Sequence, residues 1–406
     1  MSLFREIPPT AGFPLLGADL LALVRGSGDG NPLEQDFKTY LHAEYAGVVC
    51  SGTAAFYVIL NALKALSSKR TVVMPAYICP LVPLAIHRAG LRVEVCDIQP
   101  NNFDFALDEL DALCAGNPDV AAIVATHLAG FPVDLEAIRR IATRYDLIVI
   151  EDCAQALGAL YRGQPVGTWG DFAFLSLCRG KGLTIYEGGV AVTRHRAHAP
   201  LLDSLTQALV KHDWVSEGIK CLELLGYGVC YRPAVFWFAS RLPELWWNLS
   251  GRALRAAGEE FPLDFPVHRV SRIRQAVGHA MFHRLDDAIR RQRQLALNYQ
   301  EALRGVTGLT VMTESAESRA TYPHVTLLFD EPTKRQRVLA RCQRLGIGAS
   351  QLYTSAITDY AYLNALVPRR SCPHAQSLAA RTMTLSTSSF VTPREFEQAV
   401  AAVKAL

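Results

Sequence analysis

The stretch DLEAIRRIATRYDLIVIED (residues 134–152) places a helix-like pattern directly before a strand-like one. In residues 134–145 the apolar side chains recur every three or four positions, which is typical of an amphipathic helix, and four consecutive apolar residues after Asp146 indicate a buried strand. The same alternation continues on both sides of this stretch. Strand-like runs lie at 47–50, 71–74, 91–98, 120–128 and 172–177, with helical patterns at 53–66, 80–90 and 107–116. The sequence therefore predicts an α/β fold with a mostly parallel central sheet that is covered on both faces.

The chain has 406 residues, 50% of them hydrophobic, and is longer than one usual domain. We expect a large domain over residues 1–265, followed by a linker helix and a smaller C-terminal α+β domain over residues 266–406. The linker helix is predicted over residues 271–305, where arginines mark a polar face. Residues from about 200 to 265 are rich in aromatic side chains and contain prolines, and we predict that they form a helical insert in the large domain.

Charge and cysteine usage exclude several classes of protein. The net charge of +3 gives no reason to expect a nucleic-acid partner. The 10 cysteines include no CxxC pair, so we expect free thiols in a reducing compartment and no structural metal site. The N-terminus lacks an apolar signal core, and no apolar run reaches the length of a membrane span. A cytoplasmic protein is therefore expected.

The segment CSGTAAF (residues 50–56) joins a predicted strand to a predicted helix. Gly52 would let a ligand approach the backbone, and the free N–H groups of a first helical turn suit a phosphate. Serine and threonine are also ordinary helix caps. This segment alone therefore leaves phosphate binding and simple capping open.

The segment IEDCAQA (residues 150–156) places Glu151 and Asp152 at the carboxyl end of a predicted strand. In open α/β sheets ligands bind at that end. A buried carboxylate needs a cationic partner or strong hydrogen-bond donors. A ligand site, a helix cap or a structural salt bridge would each account for the pair.

The segment FLSLCRGKGLTIYEGG (residues 174–189) carries Lys181 between Gly180 and Gly182. Most lysines are solvated surface groups, but this one follows an apolar strand and is flanked by small residues. A lysine amine can form a Schiff base with a carbonyl compound. Pyridoxal phosphate needs a phosphate site, an anion for its ring nitrogen and an amine for its aldehyde, and the three segments offer these in order. The sequence thus predicts pyridoxal phosphate as cofactor.

The same segments resemble the motifs of a known family, the DegT/StrS-type sugar aminotransferases, whose architecture is called fold type I. SGTAA at 51–55 is similar to the family's phosphate loop, and THLAGFPVDLEAI at 126–138 is similar to a second family segment. The most specific similarity is IEDCAQALGALYRGQPVGTWGD at 150–171. Lys181 is in register with the family's lysine, and CPHA at 372–375 resembles a late motif.

The resemblance implies a role for each matching residue. Lys181 would carry the Schiff base and move a proton, and Asp152 would keep the ring nitrogen of the cofactor protonated. Gln155 would contact the face of the ring or its phenolic oxygen. The residues implied in phosphate binding are Gly52, Thr53, Ala54 and Ser176.

The resemblance also implies the reaction. An amino acid, by family habit L-glutamate, would donate its amino group to a keto acceptor, usually a nucleotide-linked sugar in surface-polysaccharide or natural-product biosynthesis. Relatives are homodimers. One alternative is a pyridoxal-phosphate sugar dehydratase or lyase, but the dehydratase relatives replace the lysine by histidine, so Lys181 disfavours it. Another alternative is a non-catalytic binding or regulatory relative, which would not need Lys181, Asp152 and Gln155 together.

Several positions depart from the family pattern. Where the family has an aromatic residue that stacks on the cofactor ring, this chain has Cys79, with Tyr77 two residues earlier. The remaining departures are Val267 in place of an asparagine beside a retained Arg269, Tyr186 in place of a glycine, and residues 352–353 and 386–388 in place of two histidine motifs. We expect the cofactor chemistry to match the family and the recognition of the acceptor to differ.

The aromatic insert contains the run FWFASRLPELWW. Its apolar side chains would pack in the core or in a dimer interface. Alternatively, they would form a surface that meets a membrane or a lipid-linked acceptor, with Trp237, Trp246 and Trp247 as interfacial anchors.

Overall fold

The computed structural model describes residues 5–25 and 30–406, which contain fourteen strands and sixteen α-helices. The strands are Tyr45–Val49 (β1), Thr71–Pro75 (β2), Arg92–Cys96 (β3), Val120–Thr126 (β4), Ile148–Asp152 (β5), Leu160–Tyr161 (β6), Gln164–Pro165 (β7), Phe172–Ser176 (β8), Gly189–Thr193 (β9), Leu309–Val311 (β10), Ser318–Arg319 (β11), His324–Phe329 (β12), Ala349–Ser350 (β13) and Thr382–Ser386 (β14). The helices are Gly17–Arg25 (α1), Pro32–Tyr40 (α2), Gly52–Leu66 (α3), Leu81–Arg88 (α4), Leu107–Gly116 (α5), Leu135–Tyr145 (α6), Ala199–Leu209 (α7), Trp214–Cys230 (α8), Pro233–Phe236 (α9), Leu242–Leu249 (α10), Ala253–Ala256 (α11), Arg272–Phe282 (α12), Leu285–Ala302 (α13), Pro332–Leu345 (α14), Pro373–Arg381 (α15) and Pro393–Lys404 (α16).

The central sheet has seven strands in the order β1-β9-β8-β5-β4-β2-β3. Strand β9 runs antiparallel to both of its neighbours, and the pairs on the other side of β8 are all parallel. The prediction of a mostly parallel sheet is therefore confirmed, and each strand predicted from an apolar run is present. Strand β9 was not predicted, because it starts inside the glycine-rich turn at Gly188–Gly189 and is only five residues long.

Helices cover both faces of this sheet, as continuous apolar strands require. On one face α3 and α4 bury side chains such as Phe56 and Leu84 in a large core cluster. On the other face α2 and α6 bury side chains such as Phe37 and Ile138 in a second cluster. The two layers fix the strands, so the residues at the strand ends have defined positions.

Helices α7 to α11 lie between residues 199 and 256, within the range of about 200–265 where the sequence predicts a helical insert. Pro233 occupies the first turn of α9, where its missing N–H is not needed. A π-helical turn at Trp237–Arg241 joins α9 to α10. Among the described helices, none combines the length and the apolar character that crossing a bilayer requires.

The single linker helix predicted over 271–305 is wrong, because the chain forms two helices, α12 and α13, with a break at His283–Arg284. Contacts with distant parts of the chain hold this break. Phe282 packs edge-on against Phe37, and the Arg284 guanidinium binds the Asp19 carboxylate. Neither contact follows from the local helical pattern.

The C-terminal part of the chain contains a four-stranded antiparallel sheet, β10-β12-β14-β13. The N-terminal segment packs against it: Ile7 N–H donates to the Gly346 carbonyl at 3.0 Å, and the Ser386 hydroxyl donates to the Pro8 carbonyl at 2.6 Å. The first residues thus contact the part of the chain that follows residue 266. The proposed division into domains at residue 265 stays a prediction.

Candidate active site

A cavity of about 240 Å³ lies at the carboxyl ends of the parallel strands β4, β5 and β8. The predicted residues in its wall are Gly52, Thr53, Asp152, Gln155, Ser176 and Lys181. Since the carboxyl end of a parallel sheet is its usual ligand-binding edge, the position agrees with the sequence-based expectation. Segments that are up to 129 residues apart in sequence, from Gly52 to Lys181, therefore meet in one place.

The start of α3 forms one wall of the cavity. Ser51 caps this helix, and its Oγ accepts a hydrogen bond from Ala54 N–H at 3.0 Å. The N–H groups of Gly52 and Thr53 belong to the first turn, which has no intrahelical partners for them. Ala54 is buried, its N–H is used by the cap, and it does not line the cavity. The geometry therefore offers Gly52 and Thr53, rather than Ala54, to an anion.

Ser176 ends strand β8 opposite this helix start. A β-carbon added to Gly52 would lie 3.1 Å from Ser176 Cβ and 3.3 Å from the Leu175 carbonyl oxygen, which is tighter than usual contact. A glycine at position 52 thus allows the helix and the strand to approach each other. The Ser176 hydroxyl accepts a long hydrogen bond of 3.4 Å from Cys178 N–H and can still donate into the cavity.

Asp152 ends strand β5 and presents its carboxylate to the cavity, although only 5% of the residue is exposed. Its Oδ1 accepts a hydrogen bond from Ala154 N–H at 3.0 Å. Burial raises the pKa of Asp152 to about 6, and the Ala154 hydrogen bond and the positive charge of Lys181 offset only part of that effect. An ionised Asp152 is costly unless a cation binds next to it.

Glu151 points to the opposite face of the same strand, as the alternation of side chains along a strand requires. Its two carboxylate oxygens accept backbone N–H groups from Gly167 at 2.6 Å and from Trp169 and Gly170 at 2.7 Å. The His127 ring lies 3.1 Å from the same carboxylate. The structural interpretation of the acidic pair therefore applies to Glu151, and the ligand interpretation applies to Asp152.

His127, Glu151 and Cys153 each place a possible metal-ligand atom within 4.8 Å of the others. All three residues are buried, and hydrogen bonds already use the polar side-chain atoms of His127 and Glu151. His127 Nδ1 accepts from Val133 N–H at 3.2 Å, so Nε2 carries the proton and donates to Glu151. The group is therefore built as a hydrogen-bond network beneath the cavity.

Lys181 lies in the loop after β8 and lines the cavity. Among the residues that the structure describes, none forms a hydrogen bond or ion pair with Lys181 Nζ. Gly180 has φ +77°, and an added β-carbon would lie 2.8 Å from Thr10 Oγ1, so this position needs glycine. An added β-carbon at Gly182 would have open space around it. Only the first of the two flanking glycines is therefore required by the fold itself.

Gln155 connects the cavity wall to two other segments. Its Oε1 accepts a hydrogen bond from Ala129 N–H at 3.0 Å, and its Nε2 donates to Tyr353 Oη at 3.1 Å. Both bonds fix the amide group, since each end has a different partner. Gln155 is therefore held in place before any ligand binds.

The structure does not assign one residue to stack on the cofactor ring. Cys79 lines the cavity, but Tyr77 is buried away from it, where its hydroxyl donates to the Tyr353 carbonyl at 3.0 Å. The aromatic side chains that do line the cavity are Phe56, Phe174, Phe261 and Tyr353. Phe261 lies in the predicted insert, for which the sequence indicated no role in the cofactor site.

A second cavity of about 260 Å³ shares Cys79, Gln155, Lys181 and Tyr353 with the first. It is also lined by His324, the first residue of β12. Burial, with a smaller contribution from the charge of Lys181, lowers the pKa of His324 to about 3, so its ring is neutral. Lys181 thus lines both cavities, of which only the first is also lined by the start of α3.

Of the other departures from the family pattern, Leu352 and Tyr353 line the second cavity, whereas Tyr186, Val267, Arg269 and residues 386–388 line neither cavity. Tyr186, at the position of a family glycine, keeps a left-handed backbone with φ +73°, and its carbonyl accepts from Arg179 N–H at 2.7 Å. Arg269 Nε donates to the Val210 carbonyl at 3.3 Å, and Val267 packs against the core. Neither Val267 nor Arg269 therefore reaches the cofactor cavity within this chain.

A helix start with free N–H groups, a buried carboxylate and a lysine that has no partner among the described residues meet in one cavity of this α/β fold, and this combination is typical of a pyridoxal-phosphate enzyme. Comparison with known proteins specifies the class. The sequence pattern of the DegT/DnrJ/EryC1/StrS aminotransferase family matches residues 27–222 and 267–404, and the chain belongs to this family. It is a pyridoxal-phosphate-dependent aminotransferase, and the predictions of cofactor and enzyme class are confirmed.

Individual relatives are similar over different lengths. Protein MosB of Rhizobium meliloti is 37% identical over 171 residues, which are 42% of this chain and only 33% of MosB. GDP-perosamine synthase of Escherichia coli O157:H7 is 27% identical over 305 residues, 75% of this chain and 71% of that protein. The PLP form of Spr1654 from Streptococcus pneumoniae has the same fold, with a TM-score of 0.78, 18% identity and 98% of each chain covered.

Proposed function

We propose that the enzyme transfers the amino group of an amino acid, expected to be L-glutamate, to the keto group of a nucleotide-linked sugar. The proposal rests on one observation: a single cavity is lined by Lys181, Asp152 and the start of α3. The name of GDP-perosamine synthase, a relative over 71% of its length, supports a nucleotide-linked sugar as acceptor. No observation in the cavity favours the dehydratase or the non-catalytic alternative over an aminotransferase.

The residues of the cavity fit pyridoxal phosphate. When bound, this cofactor supplies an aldehyde that takes up the amino group and a protonated ring that stabilises negative charge on the carbon next to the nitrogen. Gly52 and Thr53 would hold its phosphate with their free N–H groups, and the Ser176 hydroxyl would donate a further hydrogen bond. Ala54 would contribute to this site only through the cap that it forms with Ser51.

Asp152 would bind the protonated ring nitrogen. Because burial raises its pKa to about 6, its carboxylate gains most from a cation that replaces the lost water. Gln155, which Ala129 and Tyr353 hold in place, would face the ring or its phenolic oxygen. These two groups would keep the ring in one orientation while the substrates exchange.

Lys181 would bind the aldehyde carbon of the cofactor through Nζ and be released when the incoming amine takes its place. The free Nζ has no partner in the described residues, so it would move a proton between the substrate carbon and the cofactor carbon. Because Lys181 lines both cavities, its amine would be within reach of a substrate carbon and of the cofactor carbon. His324, whose lowered pKa keeps its ring neutral, would not compete with Lys181 for this proton.

The proposal also covers the oligomeric state, the cellular location and the domain division of the enzyme. We infer a homodimer in the cytoplasm, with residues 1–265 and 266–406 as large and small domains. Two-fold symmetric dimers are the commonest oligomers. The insert side chain Phe261 in the cavity wall supports the assignment of the insert to the larger domain.

Visible absorbance of the purified protein tests the proposal. We expect a band from bound pyridoxal phosphate that disappears on addition of L-glutamate, and no such response in Lys181→Ala. The matched control Lys404→Ala, at an exposed helix end, should behave as the wild type. Recovery of the band on addition of a nucleotide-linked keto sugar would complete the reaction. A wild-type protein that binds no pyridoxal phosphate would contradict the proposal.

A further inference from the structure

Tyr353 differs from the other aromatic side chains in the wall of the first cavity. Phe56 and Phe174 are almost completely buried and stack on each other, with ring centroids 4.6 Å apart. Phe261 is half-buried and lines the first cavity but not the second. Tyr353 is also half-buried, and of these four side chains it alone borders both of the cavities that Lys181 lines.

The backbone of Tyr353 is held by the buried hydroxyl group of Tyr77. Tyr77 Oη accepts a hydrogen bond from Tyr353 N–H at 3.1 Å and donates one to the Tyr353 carbonyl at 3.0 Å. The two rings pack edge-on, with centroids 5.7 Å apart. Tyr77 is 2% exposed and lies in the segment after β2 that also carries Cys79. A single hydroxyl thus satisfies both backbone polar groups of residue 353 and fixes the direction in which its side chain leaves the backbone.

The ring of Tyr353 is also fixed at its far end, through its own hydroxyl. Gln155 Nε2 donates to Tyr353 Oη at 3.1 Å, and Gln155 Oε1 in turn accepts from Ala129 N–H at 3.0 Å. The same hydroxyl lies beside the Cys79 thiol. Because both ends of the side chain are held, the ring does not have to be ordered when a ligand binds, and the entropic cost of a contact with it is low.

The residue after Tyr353 is anchored to the predicted insert. Glu259 is 6% exposed, and its carboxylate accepts hydrogen bonds from Thr354 N–H at 2.9 Å and from Tyr360 Oη at 2.6 Å. Glu259 lies within residues 223–266, which the family pattern does not match. The loop that presents Tyr353 is thus fixed by a contact from outside the family pattern.

We propose that Tyr353 supplies the aromatic contact to the ring of pyridoxal phosphate, and that Tyr77 is the positioning residue that holds Tyr353 in place. Two aromatic rings attract each other in offset or edge-on arrangements, in addition to the apolar area that they bury. Cys79, where the family pattern has an aromatic residue, lines the same two cavities, but its thiol is too small to cover a pyridine ring. The contact rests on the proposed placement of the cofactor in the first cavity and holds for any amino acceptor.

Absorbance titration of the full-length protein with pyridoxal phosphate tests this contact. Tyr353→Ala should raise the apparent dissociation constant by about tenfold, because it removes the ring. Tyr353→Phe keeps the ring and should stay within about twofold of the wild type. The matched control Tyr145→Ala removes a half-buried tyrosine at the end of α6 that lines neither cavity, and it should bind as the wild type.

Double variants separate a contact with the cofactor from a general effect on the fold. Cys79→Phe/Tyr353→Ala places a ring beside the space that Tyr353 leaves and should recover most of the lost affinity. Tyr77→Phe alone should weaken binding by about threefold, since it removes both hydrogen bonds to the Tyr353 backbone. In the Tyr353→Ala background the same change should have no further effect on the affinity, because Tyr77 acts through Tyr353.

Circular dichroism of each variant would show that the fold is intact. A wild-type protein that binds no pyridoxal phosphate would contradict the proposed function itself. If the wild type binds it and Tyr353→Ala binds it equally well, only the role of Tyr353 is overturned. A loss in Tyr353→Phe as large as that in Tyr353→Ala would also overturn it, because the hydroxyl and not the ring would then be responsible. If Tyr77→Phe weakens binding equally in both backgrounds, Tyr77 does not act through Tyr353.

Discussion

Replacement of Asp152 by asparagine is expected to stabilise the cofactor-free enzyme while it removes most of the transaminase activity. The Asp152 carboxylate is almost completely buried, and burial raises its pKa from 3.8 to about 6. Asparagine has nearly the same shape and can still accept the hydrogen bond from Ala154 N–H. It does not carry the buried negative charge, so the folded protein no longer has to hold one without a bound cation.

The size of the effect follows from the difference between the folded and unfolded pKa values. A rise of about 2 units corresponds to roughly 3 kcal/mol, at about 1.4 kcal/mol per unit. Since the folded protein keeps its proton at pH values where the unfolded chain has lost it, stability falls as the pH rises from about 4 to about 6. Below that window both states are protonated, and the variant has no advantage.

Chemical denaturation of the cofactor-free proteins across this pH range measures the prediction. At about pH 8 the free energy of unfolding of Asp152→Asn should exceed that of the wild type by roughly 3 kcal/mol, and near pH 4 the two should coincide. The control Asp264→Asn, whose side chain is 92% exposed, should follow the wild type throughout. Addition of pyridoxal phosphate should stabilise the wild type more than Asp152→Asn, because only the carboxylate neutralises the ring nitrogen.

Two results would refute this reasoning. One is an asparagine variant no more stable than the wild type at about pH 8. The other is an advantage that persists unchanged at acid pH, which would show that packing rather than ionisation is responsible.

Two further perturbations follow from contacts around the lysine loop. Glu217→Gln removes the negative charge that is paired with the fully buried Arg274, and it should lower the free energy of unfolding by roughly 3–5 kcal/mol. Urea denaturation measures this loss against the half-exposed control Glu223→Gln. Gly180→Ala should cost about 1–2 kcal/mol, because of its left-handed backbone, and should weaken cofactor binding in an absorbance titration. Gly182→Ala should leave cofactor binding unchanged, and equal losses in both glycine variants would contradict the geometry.

Much of the central sheet could be predicted because its strands are continuous apolar runs, a signal that lies within a few residues. Strand β9 escaped prediction since its first residue, Gly189, continues a glycine-rich turn, and only the neighbouring strands reveal its place. The break between α12 and α13 escaped for a similar reason. It depends on the contact of Arg284 with Asp19, which lies 265 residues away in the sequence.

The residues of the candidate site also fall into two groups, those identified from a local motif and those placed by tertiary folding. Asp152, Lys181 and Gly52 were identified because each lies in a short motif at the end of a strand. The distinction between Asp152 and Glu151 follows from strand alternation, and the structure shows which face looks into the cavity. Residues 352–353 were noted only as a departure from a family motif, and His324 was not identified, because tertiary folding brings Tyr353 and His324 to the cavity from a distant part of the chain.

The origin of the cavity walls has a consequence for how such an enzyme diversifies. The groups predicted to hold the cofactor all lie between Ser51 and Lys181, whereas Phe261, His324 and Tyr353 arrive from later segments. Mutations in the later segments can reshape the space in front of the lysine without displacing the earlier groups. The specificity for the acceptor can therefore change during evolution while the residues that bind the cofactor and transfer the amino group stay the same.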